Sequence, residues 1–221
     1  MSVPSKARIL LFDLDGTLTD SKAGIVRCLR FAVERLGLPC PPDDVLTTFI
    51  GPPLRGTLST LLATSDVALI DEALLLYRSE FSARGLFENQ VYEGVPEMLG
   101  AARDAADAAF VVTAKLTISA RRIVSHFGIA KHFSGVYGMD DGHADKAELL
   151  AHVLAVEHVE PAAAVMIGDR ASDIAAAQAN GTGSIGVLWG YGSERELIDA
   201  GPDALCRTPA ELSTRLAAWR H

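Results

Sequence analysis

Four aspartates stand at the ends of two predicted strands of this chain, where together they could bind a cation. Asp13 and Asp15 end the run RILLFDLD, and Asp169 and Asp173 lie at and just beyond the end of the run AAVMIGD. Ligands of an open parallel sheet bind beyond the carboxyl ends of its strands, where such side chains meet. Mg²⁺ prefers carboxylates together with water and phosphate oxygens. Asp13 also abuts a buried strand, so its charge needs a partner or a metal there.

A hydroxyl and two ammonium groups are available at the same predicted edge. The run AAFVVT ends at Thr113 and is followed by Ala114 and Lys115, and Lys146 precedes the helix that leads to the AAVMIGD strand. Taken singly, a lone aspartate after a strand usually caps a turn or helix, and a lone lysine usually lies on the surface. In combination, these residues provide a cation site and donors that could neutralise the oxygens of a phosphate group.

The strands that would position these residues are short apolar runs, which are typical of strands buried on both faces of a parallel sheet. We predict six of them, at residues 8–14, 108–113, 134–138, 163–169, 184–190 and 203–206. Helical segments separate the strands after residue 94, and this alternation predicts right-handed crossovers. The fold class is therefore α/β, with a doubly wound, mostly parallel sheet.

Residues 20–90 have a different pattern, which is helical throughout and contains no convincing strand. Breaks at LPCPPDD and IGPPLRG divide this segment into four or so helices, including a long amphipathic stretch at residues 66–84. The pattern predicts an all-helical domain at 20–90, inserted into an α/β core formed by residues 1–19 and 91–221.

Composition narrows the classes of function. The 221 residues are long enough for one core plus a modest insertion, and the net charge of −8 argues against a binder of nucleic acid polymers. Three widely spaced cysteines without a CxxC motif argue against disulfides or a zinc site. No signal peptide or membrane-length apolar run is apparent, so we expect a cytoplasmic protein without membrane contact. A monomer or weak homodimer is the default expectation.

The motifs together resemble those of the haloacid dehalogenase-like superfamily. The resemblance rests on DLDGT, on the strand end Thr113-Ala114-Lys115, on Lys146 and on GDRASD, and it covers nearly the whole chain. It implies a Rossmann-like core, and it identifies the helical insert with the first type of cap in this superfamily. The segments IGPPL, RGLFENQVYEGV and GVLWGYGSEREL are similar to the phosphoglycolate phosphatase and bacterial 5′-nucleotidase branch.

The resemblance implies a magnesium-dependent phosphatase that hydrolyses small phosphate monoesters, with phosphoglycolate or a nucleoside 5′-monophosphate favoured. Asp13 would attack phosphorus and form an aspartyl phosphate, and Asp15 would first protonate the leaving alcohol and then activate water. Mg²⁺ would be held by Asp13, by the backbone carbonyl of Asp15 and by Asp169, with Asp173 helping directly or through water. The resemblance also implies that Lys146 pairs with Asp13 and with the phosphate, and that Thr113 and the amide of Ala114 bind phosphate oxygens, which completes the implied catalytic set.

The implied substrate-binding set comprises Gly16, Thr17, Ala114, Lys115 and Arg55. Ala114 departs from the branch, which usually has Asn or Ser there, so we expect altered specificity rather than lost activity. In the cap, Arg55 could contact the leaving group, and Phe87 or Tyr92 could stack on a base. Cap–core packing and solvation explain these three cap residues at least as well. The linkers near residues 20–22 and 88–94 are the predicted hinges.

Several alternatives remain open at this point. A 2-haloacid dehalogenase needs neither magnesium nor Asp15, and a phosphonoacetaldehyde hydrolase needs a cap lysine where residues 20–90 contain only Lys22. A sugar-phosphate mutase would share every core residue, and a non-catalytic phosphate-binding module would usually lack one of them. The sequence leaves open the physiological ester. It also leaves open whether Lys115 shares phosphate binding with Lys146.

Overall fold

The computed structural model describes residues 8–140 and 142–218, along which strands and helices alternate. The strands of this described part are β1 (Ile9–Phe12), β2 (Thr19–Asp20), β3 (Gln90–Val91), β4 (Ala108–Thr113), β5 (Gly135–Gly138), β6 (Ala164–Gly168), β7 (Gly183–Val187) and β8 (Ala204–Cys206). Its α-helices are α1 (Lys22–Arg35), α2 (Asp43–Thr47), α3 (Leu54–Leu61), α4 (Val67–Ala83), α5 (Val95–Ala105), α6 (Thr117–His126), α7 (Lys146–Val156), α8 (Ala171–Asn180), α9 (Glu194–Ala200) and α10 (Pro209–Ala218). Short 3₁₀ turns lie at Gly85–Phe87, Ala130–His132 and Pro161–Ala163.

Six strands form the main sheet, in the order β5-β4-β1-β6-β7-β8, and all the pairings within it are parallel. The chain starts at the centre with β1, winds outward through β4 to β5, and then returns to build the other half from β6. This confirms the predicted doubly wound α/β class. The direction of winding reverses between β1 and β6, which is where ligands of such folds bind.

Both faces of the sheet are buried, which explains why the central strand is apolar at every position. Leu10 and Phe12 point into one hydrophobic cluster, and Ile9 and Leu11 point into another. Successive side chains of a strand point to opposite faces, so a strand covered on both sides cannot alternate polar and apolar residues.

Helices α1 to α4 fill the inserted segment, as the sequence predicts. Asp66 directly precedes helix α4, and its side chain accepts hydrogen bonds from the backbone of Ala68 and Leu69 and so caps the helix. The prediction that residues 20–90 contain no strand is wrong at both ends, because β2 and β3 pair antiparallel at the root of the insert. Each of these strands has only two residues, too few to give a recognisable alternation.

Two predicted strands extend two or three residues past the C-terminal ends of the observed ones. The first was expected to reach residue 14 but ends at Phe12, and the fifth was expected to reach residue 190 but ends at Val187. In both cases the chain leaves the ladder to form a loop at the carboxyl edge. These loops carry side chains of the candidate site.

Cys28, Cys40 and Cys206 are free thiols, and the first and last of them are buried. Among the helices of the described residues, none is both long and apolar enough to span a membrane.

Neighbouring leucines on α4 allow a test of how this helix packs. Leu74 is 5 % exposed and belongs to the hydrophobic core, whereas Leu75 is 70 % exposed. We expect Leu74→Ala to lower the free energy of unfolding by about 2 to 5 kcal/mol because it opens a cavity. Leu75→Ala should change it by no more than about 0.5 kcal/mol. Denaturant titration measures both values, and equal effects would contradict the assigned face of α4.

Candidate active site

The predicted carboxylates meet at the carboxyl edge of the sheet, where the winding reverses. Asp13 directly follows β1 and Asp169 directly follows β6, and the two strands are neighbours. The backbone N–H of Asp13 donates to the carbonyl oxygen of Ile167 at 2.9 Å, which continues the ladder for one residue. Asp173 lies in the first turn of α8. All three carboxylates are buried.

Lys146 joins two of these carboxylates. It is the first residue of α7, and its ammonium lies 2.9 Å from Oδ1 of Asp13 and also hydrogen-bonds Oδ1 of Asp173. Its side chain is only 5 % exposed. The second oxygen of Asp173 accepts a hydrogen bond from the backbone N–H of Arg170 at 3.0 Å. Lys146 is therefore a buried part of the cluster, not a surface lysine.

Lys115 forms a separate ion pair with Asp15. Its ammonium lies 3.0 Å from Oδ2 of Asp15 and 4.3 Å from the centre of the Phe81 ring, which belongs to α4 of the insert. The two lysines thus have different partners, since Lys146 contacts Asp13 and Lys115 contacts Asp15. The sequence left this division open.

Asp169 is held by neighbours on both of its oxygens. The hydroxyl of Thr17 donates to Oδ1 at 3.2 Å, and the backbone N–H of Tyr191 donates to Oδ2 at 2.8 Å. Trp189 donates from its indole N–H to the carbonyl oxygen of Thr17 at 2.9 Å. Thr17 was predicted to bind substrate, and the structure places its hydroxyl on Asp169.

Four glycines surround the carboxylates so closely that a side chain would not fit. A Cβ at Gly16, Gly190 or Gly192 would collide with Asp169, and one at Gly168 would collide with Asp173. Gly16 also has a φ of +86°, in the region that favours glycine. Gly16 was predicted to bind substrate. The structure gives it a steric role, because it leaves room for Asp169, a predicted metal ligand.

The remaining predicted residues lie in two places. Thr113 ends β4 and is buried, and its hydroxyl accepts a hydrogen bond from the backbone N–H of Lys115 at 3.3 Å. Ala114 lies between Thr113 and Lys115, so its backbone amide belongs to the loop that follows β4. Arg55 lies on α3 with 57 % of its side chain exposed and is paired with Asp71. Within the described residues, no contact joins Arg55 to the carboxylates.

The aromatic candidates of the cap and its linker have protein partners. Phe87 stacks on the ring of His126 with centroids 4.2 Å apart, and the guanidinium of Arg122 lies 5.5 Å from its centre. Tyr92 is partly buried and packs against the main hydrophobic cluster, as Tyr191 does. Both rings thus make packing contacts with the core, which was the alternative to base stacking.

Sequence reasoning missed the loop after β7 as part of the site. Trp189 and Tyr191 lie in GVLWGYG, a segment that the sequence linked only to a branch of the family. Glycines on either side of Tyr191 were an available signal, since two glycines flanking an aromatic residue after a strand indicate close backbone approach.

Electrostatics at the cluster favour added positive charge. Burial raises the pKa of Asp13, an effect that attraction to Lys146 opposes and repulsion from Asp173 reinforces. Burial also raises the pKa of Asp169, and repulsion from Asp13 and Asp173 adds to it. Burial lowers the pKa of Lys146, but its attraction to Asp13 and Asp173 outweighs burial and raises that pKa.

These residues fit a divalent cation. Oxygens of Asp13, Asp169 and Asp173 lie within 4.8 Å of one another, and Lys146 is the one ammonium that contacts this trio in the described part of the chain. Oδ1 of Asp15 is buried without a hydrogen-bond partner among the described residues. A hard cation would balance the excess negative charge with the oxygen ligands it prefers. Ligation through the carbonyl of Asp15 stays a prediction.

A parallel, doubly wound sheet with buried aspartates at its switch point and a helical insert after the first of them defines a Rossmann-like hydrolase core. Comparison with known families agrees, because a family model described as haloacid dehalogenase-like hydrolase matches residues 10–187. The chain belongs to this family.

Three named proteins are similar to this chain over most of its length. A Pseudomonas aeruginosa protein named 5′-nucleotidase is 42 % identical over 207 residues, which are 92 % of each chain. A Photobacterium profundum protein named phosphoglycolate phosphatase is 30 % identical over 90 % of each chain. A Mycobacterium tuberculosis protein named tyrosine-protein kinase PtkA is 40 % identical over 84 % of this chain and 63 % of that protein.

A crystal structure described as a predicted phosphatase from Clostridium acetobutylicum has a TM-score of 0.92 and 32 % identity, covering 97 % of this chain and all of that one. These comparisons confirm the predicted fold class and the predicted family. The chain is a hydrolase of the phosphatase type.

The raised pKa values predict a pH-dependent cost of ionising the metal-free site. A carboxyl whose pKa is raised by folding stabilises the folded state below its unfolded pKa of about 4, and this contribution is lost as pH rises through the folded pKa. Asp169→Asn removes that charge, while an amide can still accept from Tyr191 and donate to Thr17. With chelator at about pH 7.5, we expect the variant to unfold about 2 to 6 °C above the native protein in calorimetry.

The same measurement at about pH 5 is the control, because pH 5 lies close to the unfolded pKa of an aspartate and the raised pKa of Asp169 then costs the folded state little. The difference between the two proteins should shrink to about 1 °C or less. A variant that is equally or less stable at both pH values would contradict the predicted repulsion.

Proposed function

We propose that this chain is a magnesium-dependent phosphatase of small phosphate monoesters that acts through an aspartyl phosphate on Asp13. One observation carries the proposal: Asp13 and Asp15 lie two residues apart, and each has its own buried lysine. Two carboxylates in different electrostatic surroundings are suited to different tasks, one as nucleophile and one as acid and base. Members of the family named above as phosphatases support the same reading.

The first step would be attack by an oxygen of Asp13 on phosphorus. The bond between phosphorus and the leaving oxygen breaks as the bond to Asp13 forms, and Asp15 gives its proton to the leaving alcohol. Lys146 holds Asp13 in place and balances charge on the phosphate. Asp13, Asp169 and Asp173 would hold Mg²⁺, which when bound supplies positive charge to the phosphate oxygens.

The second step would return the enzyme to its starting state. Asp15, now ionised, takes a proton from a water molecule, whose oxygen attacks phosphorus and breaks the bond to Asp13. Inorganic phosphate leaves. Thr113 and the backbone amide of Ala114 are the remaining donors for phosphate oxygens, and positioning and charge neutralisation account for most of the catalysis in reactions of this type.

Phosphoglycolate and nucleoside 5′-monophosphates are the favoured substrates. The names of the Photobacterium and Pseudomonas relatives support one each. Lys115 contacts Asp15, the residue that would protonate the leaving alcohol. An ammonium at this position favours an alcohol that carries an anionic or hydroxyl substituent. We expect the chain to act as a monomer or weak homodimer on such small molecules, without a nucleic acid or membrane partner.

Phosphate release from a panel of esters tests the reaction. The panel contains p-nitrophenyl phosphate, phosphoglycolate, nucleoside monophosphates, sugar phosphates and phosphotyrosine, each with magnesium and with chelator. We expect magnesium-dependent release by the native protein and a loss on the order of 10⁴-fold or more in Asp13→Asn. The ester with the highest kcat/KM identifies the branch.

Arg55→Gln is the matched control in this assay. Arg55 is exposed, and its ion pair is with Asp71 rather than with a carboxylate of the cluster. It should release phosphate from p-nitrophenyl phosphate at a rate close to that of the native protein. No release from any ester, or equal release by Asp13→Asn, would refute the aspartyl phosphate mechanism.

The division of labour between the two aspartates gives a second prediction. p-Nitrophenolate leaves without protonation, so Asp15→Asn should still form the aspartyl phosphate from this ester but hydrolyse it slowly. Stopped-flow absorbance should record a burst of about one p-nitrophenol per enzyme, followed by turnover reduced about 10²- to 10⁴-fold. An Asp15→Asn protein without a burst but with slow linear release would assign Asp15 to the first step only.

A further inference from the structure

Tyr191 contacts the predicted metal site through its backbone. Its N–H donates to Oδ2 of Asp169 at 2.8 Å, and the glycines at 190 and 192 leave no gap between this loop and Asp169. The orientation of the Asp169 carboxylate therefore depends on where the backbone of residue 191 lies.

The side chain of Tyr191 reaches the root of the helical insert. Its hydroxyl donates to Oδ1 of Asp20 at 3.0 Å, and the hydroxyl of Ser21 lies 3.5 Å away. Asp20 is the last residue of β2, which pairs with β3, so this phenol contacts the strand pair at the root of the insert.

These two sets of contacts make Tyr191 a link between the segments predicted as hinges and a metal ligand. We infer that Tyr191 is a positioning residue that couples the placement of the cap to the orientation of Asp169. The inference rests on the metal site of the proposed function. If movement at β2 and β3 displaces the phenol, the backbone at residue 191 and the hydrogen bond to Asp169 shift with it. Coupling of this kind acts equally in both directions, so a bound metal also steadies the hinge segments.

Tyr191→Phe separates the two contacts, because it removes the hydroxyl and keeps the backbone N–H. Mg²⁺ affinity is measured by thermal shift against Mg²⁺ concentration, and the hinge by hydrogen–deuterium exchange of peptides covering residues 19–22 and 88–92. In the native protein, Mg²⁺ should slow exchange in both peptides. In Tyr191→Phe, we expect the half-saturating Mg²⁺ concentration to rise about threefold or more, and Mg²⁺ no longer to slow that exchange.

Tyr137→Phe is the matched control for the loss of the hydroxyl of a partly buried tyrosine. The Tyr137 hydroxyl donates to Glu157 between β5 and α7, away from the cluster. This variant should bind Mg²⁺ as the native protein does, even if its melting temperature falls. A general loss of stability would affect both variants, whereas the proposed coupling affects only Tyr191→Phe.

Changes at Asp20 test the partner of the phenol. Asp20→Asn keeps an oxygen that accepts from Tyr191 and should behave as the native protein, whereas Asp20→Ala should reproduce Tyr191→Phe. The double variant Asp20→Ala, Tyr191→Phe should be no worse than either single variant.

Two outcomes would overturn the inference in distinguishable ways. A native protein that releases phosphate and binds Mg²⁺, with a Tyr191→Phe variant that matches it in Mg²⁺ affinity and hinge protection, would refute the coupling alone. A native protein without any Mg²⁺-dependent thermal shift would refute the metal site of the proposed function, and the coupling with it.

Discussion

Negative charge gathered in a buried position is the constraint around which this molecule is arranged. Asp13, Asp169 and Asp173 lie at one edge of the sheet with a single buried ammonium, Lys146, in contact with them among the described residues. The parallel pairing of β1 with β6 sets the separation of the first two, and α8 presents the third in its first turn, where the helix dipole favours a carboxylate. The hydroxyl of Thr17 and the backbone N–H groups of Arg170 and Tyr191 supply the other donors. The elements of the fold thus hold together charges that would separate in water.

The sequence predicted the parts of this arrangement that depend on local pattern. Apolar runs located the six strands of the main sheet, and the rule for parallel sheets placed their carboxyl ends at one edge. Asp13, Asp169 and Asp173 could therefore be grouped without a structure, although 156 residues separate the first two in the chain. Burial of β1 on both faces already indicated that a carboxylate after it would need a partner.

Other features depend on contacts that no local pattern encodes. The pairing of Lys146 with Asp13 was implied by the family resemblance, whereas the pairing of Lys115 with Asp15 follows from how the loop after β4 approaches the same edge, which side-chain type alone could not assign. The strands β2 and β3 are each two residues long, so their sequences show no alternation of polar and apolar residues. Tyr191 acts on Asp169 through a backbone N–H, which every residue except proline has, so its identity gave no indication of this contact.

The crowding around the carboxylates also bears on how the family can vary. Gly16, Gly168, Gly190 and Gly192 come from two loops and the end of a strand, and at each position an added methyl group would overlap with Asp169 or Asp173. What matters at these positions is volume rather than chemical type. None of these four residues could be enlarged without displacing Asp169 or Asp173. These four glycines therefore contribute to the site through the space that their missing side chains leave for the two aspartates.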